Sequence, residues 1–137
     1  MTNGKIEIVK NSPKYWEFIR EVRNHPQVKE GFVQQDYISK ESHLIYMEAH
    51  GDGYHICLYE GRPAGFVGSV NNDIRVATHP DYMRKGIAKN LIKCISDHYP
   101  FSSAKIKIDN QASLRLFESC GFVKKFYLLE IDHNNVS

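Results

Sequence analysis

The 137-residue chain lacks most of the devices that identify a protein at a glance. It has no Cys-x-x-Cys pair, and its cysteines, Cys57, Cys94 and Cys120, are widely spaced and odd in number. That pattern argues against a zinc site or a disulfide framework and for reduced thiols acting as small core filler; no metal is expected. No apolar run approaches the roughly 20 residues that cross a bilayer, and the opening MTNGKIEIVK carries no signal-peptide core. A soluble cytoplasmic protein with no membrane partner is the expectation.

Charge of one sign is missing too. Lys and Arg number 18 against 16 Asp and Glu, a net of +2, whereas a nucleic-acid-binding domain normally shows a clustered basic surface. Lys124-Lys125 reads as solvated surface. Neither the phosphate loop GxxxxGK[ST] nor the dinucleotide fingerprint GxGxxG occurs. Repeats, low-complexity tracts and linkers are absent, so residues 1–137 read as a single domain.

What is present is a readable order of elements. Residues 5–9 alternate as a strand, and Ser12-Pro13 opens a helix with a capping hydroxyl and a first-turn proline. Tyr15, Phe18, Ile19 and Val22 form its buried stripe, and Pro26 ends it near Asn24-His25. Residues 26–38 read as loop with a helical turn, and Ser39 to Ala49 as a second helix. Three strands follow at 54–60, 63–70 and 73–78, separated by tight turns at Gly61-Arg62 and Asn71-Asn72. Ile87, Ala88, Leu91, Ile92 and Ile95 mark a helix ending near Tyr99-Pro100. Residues 104–108 alternate as a strand, Asn110 caps a helix closed by Gly121, and FVKKFYLLEI ends the chain as a strand. The order β-α-α-β-β-β-α-β-α-β predicts an α/β (α+β) fold: a mixed, mostly antiparallel sheet with helices on both faces.

Within this order, HPDYMRKGIAKNLI (residues 79–92) places Arg84 and Lys85 beside Gly86 at the start of a helix. Cations are normally favoured at the opposite end. At an N-terminus they make sense beside an anion, because strand, turn and helix aim backbone N–H groups and the positive dipole end at one spot. Gly86 lets backbone approach a ligand, and the small Ala88 keeps the next position clear.

The segment VATHPDYMRKGIAKNLI resembles the acetyl-CoA-binding segment of the GCN5-related N-acetyltransferase (GNAT) superfamily, whose motif is Arg/Gln-x-x-Gly-x-Gly/Ala. Gly86 and Ala88 match, and Met83 departs from the usual Gln or Arg. Residues 110–122, NQASLRLFESCGF, resemble the family's Asn-x-x-Ala-x-x-x-Tyr-Glu-x-x-Gly-Phe through Asn110, Glu118, Gly121 and Phe122. The element order agrees over nearly the whole chain.

This resemblance implies acetyl transfer from acetyl-CoA to a primary amine by direct attack in a ternary complex. It implies cofactor contacts from Val76, Ala77 and Thr78, from Met83, Arg84, Lys85, Gly86, Ile87, Ala88 and Lys89, and from Asn110, Ser113 and Phe117. Val76 would serve the acetyl oxygen and Thr78 the pantetheine. Asp73 is the candidate base for the ammonium proton; its other reading is a turn aspartate beside Asn71-Asn72. Phe117 stands where the family commonly has a proton-donating tyrosine. Ser113, Tyr127, water or unassisted departure of the thiolate remain to fill that role.

The acceptor side is less defined. Residues 22–28, VRNHPQV, resemble segments of nucleotide-aminosugar acetyltransferases and of ribosomal-protein N-terminal acetyltransferases. They point to Arg23, Asn24, His25 and Phe32 as acceptor residues; the other reading of Asn24-His25-Pro26 is a helix end. His25, His43 and His55 are further candidates there, and His79 reads as structural. A small-molecule amine is the leading acceptor. A protein N-terminus or lysine, or a CoA-binding module with little turnover (suggested by Met83 and Phe117), are the alternatives. The short C-terminal segment leaves the acceptor side open or completed by a second subunit in a homodimer.

Overall fold

Two tight turns set the sheet. Glu60 and Gly61 both have positive φ, 51° and 79°, as do Asn71 and Asn72 at 53° and 63°. Two successive left-handed residues match the twist of the flanking strands, which is why such turns close hairpins. The computed structural model describes residues 4–133. In it, β1 (Ile6–Lys10), β2 (Tyr54–Tyr59), β3 (Arg62–Val70) and β4 (Asp73–Thr78) form an antiparallel sheet in sequential order.

The helices are α1 (Trp16–Asn24), α2 (Pro26–Lys29), α3 (Lys40–His50), α4 (Ile87–His98) and α5 (Gln111–Ser119). Ser39 caps α3 through Ser42 N–H at 3.1 Å, and Asn110 caps α5 through Ser113 N–H at 3.2 Å. Gly121, at φ 95°, takes the left-handed position that ends α5. Ser12 makes no side-chain cap: Pro13 opens a short 3-10 turn before α1, and no α-helical first-turn N–H is there to donate to the hydroxyl oxygen.

The sheet separates two cores. Cys57, Ala64, Val67 and Ile74 pack against Ile87, Leu91, Ile92 and Ile95 of α4 and Phe117 of α5. On the other face Tyr54, Ile56, Phe66, Val70 and Ala77 meet Ile19 and Val22 of α1 and Met47 of α3. Gly65 brings α4 close to the sheet: a Cβ there would lie 2.8 Å from the Ala77 carbonyl and 3.1 Å from Leu91 Cδ1.

Two expected strands do not form ladders. Residues 104–108 meet the sheet through one parallel bridge, Asp73 with Ser103. Ala104 and Ile106 still pack toward the α4 core, while Ile108 is 93% exposed. Residues 123–131 are exposed throughout and pair with no strand among the described residues. Alternation reports which side chains face a core; it does not supply a neighbouring backbone.

Gly65→Ala is expected to lower unfolding stability by about 1–3 kcal/mol, the usual cost of overpacking, and to weaken CoA binding as α4 is displaced. Chemical denaturation and CoA titration of the same variant check both effects.

Candidate active site

The segment after β4 makes an anion cradle. Arg84, at φ 63°, and Gly86, at φ 80°, both take the left-handed region, swinging the chain into α4. No side chain caps α4 at Gly86. The first backbone bond into the helix is Asn90 N–H to the Gly86 carbonyl, at 3.2 Å, so the N–H groups of Ile87, Ala88 and Lys89 have no helical acceptor and face the end of the dipole. Arg84, Lys85 and Lys89 are exposed around them, and Lys85 Nζ sits 5.1 Å from the Tyr59 ring centroid. Ile87 can contribute only backbone, because its side chain is in the core. The need for glycine at 86 is conformational, since a Cβ there would meet nothing closer than 3.8 Å.

Beside the cradle, β4 and residues 104–106 diverge. Ile74 N–H donates to the Ser103 carbonyl at 2.8 Å, and His79 N–H turns the other way, to Ala64 in β3. The two-residue period of a strand therefore points the N–H groups of Val76 and Thr78 outward, into the gap. A cavity of about 340 Å³ fills it, walled by Val76, Ala77, Thr78, Met83 and Ala88 on one side and by Ala104, Lys105, Ile106, Asn110, Ser113 and Phe117 on the other. Thr78 Oγ1 is buried there without a hydrogen-bond partner. A slot with free amides, an orphaned hydroxyl and an anion cradle at its mouth fits the pantetheine and pyrophosphate of CoA.

A second cavity, of about 410 Å³, lies on the other side of the β4 edge. Phe32, Ile74 and Lys105 line both, so the two adjoin. Asp73 and Arg75 lie on the wall of the second, with Arg75 Nη2 3.7 Å from Asp73 Oδ2. Arg75 Nη1 donates to Tyr46 Oη at 3.1 Å, and Tyr46 Oη is 2.9 Å from Tyr54 Oη. Burial, with Tyr46 beside it, pushes the Tyr54 phenol far up.

Arg23 stacks on Phe32, its guanidinium carbon 4.2 Å from the ring centroid. Burial lowers its pKa, and no carboxylate pairs with it among the described residues. His43 also lines this cavity. Its Nε2–H donates to the Trp16 carbonyl at 2.7 Å, and burial lowers its pKa, keeping the ring neutral.

Of the acceptor residues expected from sequence, Arg23 and Phe32 line this cavity and Asn24 and His25 do not. Asn24 is fully used by Ile38, accepting from its N–H at 2.8 Å and donating to its carbonyl at 2.9 Å. It pins the loop that forms the cavity rim. His25 caps α2 through Gln27 N–H. His79 caps its own turn through Asp81 N–H, and His55 lies on the α4 face of the sheet. Tyr127, 94% exposed, lines neither cavity. Arg75, Tyr46 and Tyr54 were missed. Arg75 alone had a legible signal: it alternates with Asp73 on one strand face.

The model of the acetyltransferase (GNAT) family matches residues 15–122. No curated protein matches the sequence. Among solved structures, a Salmonella typhimurium protein with its cofactor acetyl-CoA is similar at TM-score 0.72 and 20% identity, covering 86% of this chain and 79% of that one. Spermidine N-acetyltransferase from Vibrio cholerae, in complex with CoA and spermine, gives 0.74 at 17% identity, covering 92% and 85%. A ribosomal-protein alanine N-acetyltransferase from Escherichia coli gives 0.66 at 17%, covering 89% and 80%. At these identities the likeness is one of fold.

Arg84→Gly removes a cation from the cradle and relieves a left-handed residue that costs about 1–2 kcal/mol outside glycine. CoA binding should weaken roughly 2- to 5-fold, the scale of an exposed ionic contact, while the melting temperature stays level or rises. Calorimetric titration with CoA and a thermal melt check the two.

Proposed function

The chain belongs to the acetyltransferase (GNAT) family, as an N-acetyltransferase with acetyl-CoA as co-substrate, and on that premise we propose that its acceptor is a small primary amine with an anionic portion, such as a nucleotide-linked aminosugar. The observation that carries this is the unpaired Arg23 guanidinium in a cavity that adjoins the CoA slot at Phe32, Ile74 and Lys105. A cation held on an aromatic ring without a carboxylate is ready for an anionic substrate group. The cavity wall carries Arg23, Arg75 and Lys105 against Asp36 and Asp73. A polyamine would meet a surplus of its own charge there.

Acetyl-CoA supplies the thioester. In this reading Val76 N–H meets the acetyl oxygen, Thr78 N–H runs along the pantetheine, and the start of α4 with Arg84 and Lys85 receives the pyrophosphate. Asp73 lies where the acceptor cavity meets the β4 edge and takes the ammonium proton, directly or through water. Arg75 orients its carboxylate. Phe117, buried against Phe122 at 5.1 Å between ring centroids, has no proton to give. Of the two hydroxyls the sequence offered for this role, that of Ser113 lines the slot and that of Tyr127 does not; without such a donor the thiolate leaves unprotonated or takes a proton from water. Two cavities meeting at one edge let both substrates be held at once, which direct attack requires.

Residues 123–131 bear on the remaining side. Phe126, Tyr127, Leu128, Leu129 and Ile131 are all at least 70% exposed, in a segment whose backbone finds no partner strand among the described residues. A second copy offers the same edge, and antiparallel pairing of two copies is two-fold symmetric. The enzyme is therefore read as a homodimer through this segment. Sedimentation should give a dimer for the wild type and a monomer for Leu129→Lys; a monomeric wild type refutes it.

The acceptor is tested by CoA release over aminosugar nucleotides, polyamines and short peptides. Turnover should favour the first class. Arg23→Gln should raise its KM about 10-fold, the loss of one charge-assisted contact, with kcat nearly unchanged, and Asp73→Asn should lower kcat by about 100-fold or more. Preference for spermidine, or for peptide termini, defeats this reading. Tight CoA binding with no turnover on any amine would mark a binding module.

A further inference from the structure

The far end of α4 holds a side-chain cluster that acetyl transfer does not use. His55 of β2 is 6% exposed, and its Nδ1 is buried with no hydrogen-bond partner. A buried polar atom left unpaired costs about 1–3 kcal/mol and calls for an occupant or a reason. Its ring faces that of His98, with centroids 4.5 Å apart. One turn before His98, Cys94 places its Sγ 3.7 Å from His98 Nδ1. His98 Nδ1 also lies 2.9 Å from the Cys94 carbonyl. A carbonyl only accepts, so Nδ1 carries the hydrogen and the lone pair is on Nε2. Histidine ligands are commonly oriented in this way, by donating the other ring N–H to a backbone carbonyl.

We propose that His55, Cys94 and His98 form a zinc site that ties β2 to the C-terminal end of α4. One ligand atom from each residue lies within 4.8 Å of the others. Ligands around tetrahedral zinc sit roughly 3.5 Å apart, given bonds of about 2.0–2.3 Å, so side-chain rotations, including a turn of the exposed His98 ring to present Nε2, close the set. Two imidazoles and a thiolate suit zinc over magnesium or calcium, which take oxygen. His98 is exposed, leaving the fourth position to solvent.

The local electrostatics are consistent with this chemistry. Burial, then His98 and Lys10, lower the pKa of His55, so it is already in the neutral form a metal needs. Burial and Asp97 raise the Cys94 thiol, so a bound ion must displace its proton, releasing one proton for each thiolate formed. The spacing Cys94-x-x-x-His98 puts both ligands on one helix face, a signal a search for Cys-x-x-Cys passes over. α4 spans 12 residues, about 18 Å at 1.5 Å per residue, which separates this site from the anion cradle at the other end. The ion here holds structure and takes no part in transfer.

Cobalt(II) is the probe. One equivalent added to the reduced full chain should give a thiolate-to-metal band in the near ultraviolet and the intense visible bands of a tetrahedral centre, both lost when zinc is added. Cys94→Ser should abolish the near-ultraviolet band, and the exposed His98→Gln should weaken zinc binding by about 100-fold or more, since losing a ligand exceeds losing an outer-shell partner. Zinc should raise the melting temperature of the wild type and not of either variant, with circular dichroism confirming that both fold. An unchanged cobalt spectrum in Cys94→Ser would assign the thiolate to Cys57 or Cys120 and overturn the site. Absence of any tetrahedral spectrum in the wild type would overturn it equally.

Discussion

The outer edge of β4 loses its partner after Ile74, and the rest of the site depends on that loss. One bridge joins Asp73 to Ser103; beyond it the two segments separate. A bare strand edge is usually a liability, because its N–H groups seek any passing backbone. Here residues 104–106 stay close enough to wall the gap without pairing across it. Val76 and Thr78 thus keep donors turned into a narrow apolar slot, where an extended, amide-bearing arm could meet them as a strand would. Asp73, the proposed base, pairs with Ser103 at the apex of the V and lines the second cavity, next to Ile74, which lines both.

Charge is distributed along this geometry without a large net value. The cradle combines the uncapped start of α4 with three exposed cations, a combination that suits an anionic group such as a pyrophosphate. In the second cavity the carboxylate of Asp73 is answered by Arg75, and Arg75 is anchored in turn by the Tyr46–Tyr54 pair. Arg23 and Lys105 are the cations without a carboxylate partner there among the described residues. A net charge of +2 therefore conceals two locally positive sites on opposite sides of one strand.

Elements with local causes were legible in the sequence. Pro26 ends α1, Ser39 and Asn110 cap α3 and α5, Asn71-Asn72 turns β3 into β4, and Gly121 closes α5; each follows from the residue at that position. The cradle was legible for the same reason, since Gly86 and its neighbouring cations are contiguous. What was not legible was pairing over distance. AKIKI alternates as a strand does, yet its inward residues pack against α4 while its backbone goes unpaired. Asn24 looked like an acceptor residue because of its neighbours, but its amide is consumed by Ile38, 14 positions away. Tyr46 and Tyr54 carry no motif at all; only the fold brings their hydroxyls together.

Accounting for backbone donors links the two ends of the sheet. Buried or half-sheltered N–H groups rarely go unanswered in folded proteins. On β4 the unanswered groups face a slot shaped for a cofactor. Along residues 123–131, exposed throughout, water answers the backbone, and what stays unmet are Phe126, Leu129 and Ile131, side chains that water solvates poorly and that no part of the described chain covers. A disordered tail would be polar; this one has the composition of an interior strand. On β4 the unmet groups are backbone donors, whereas along residues 123–131 they are apolar side chains, and in both places the need follows from what the described chain itself leaves unanswered.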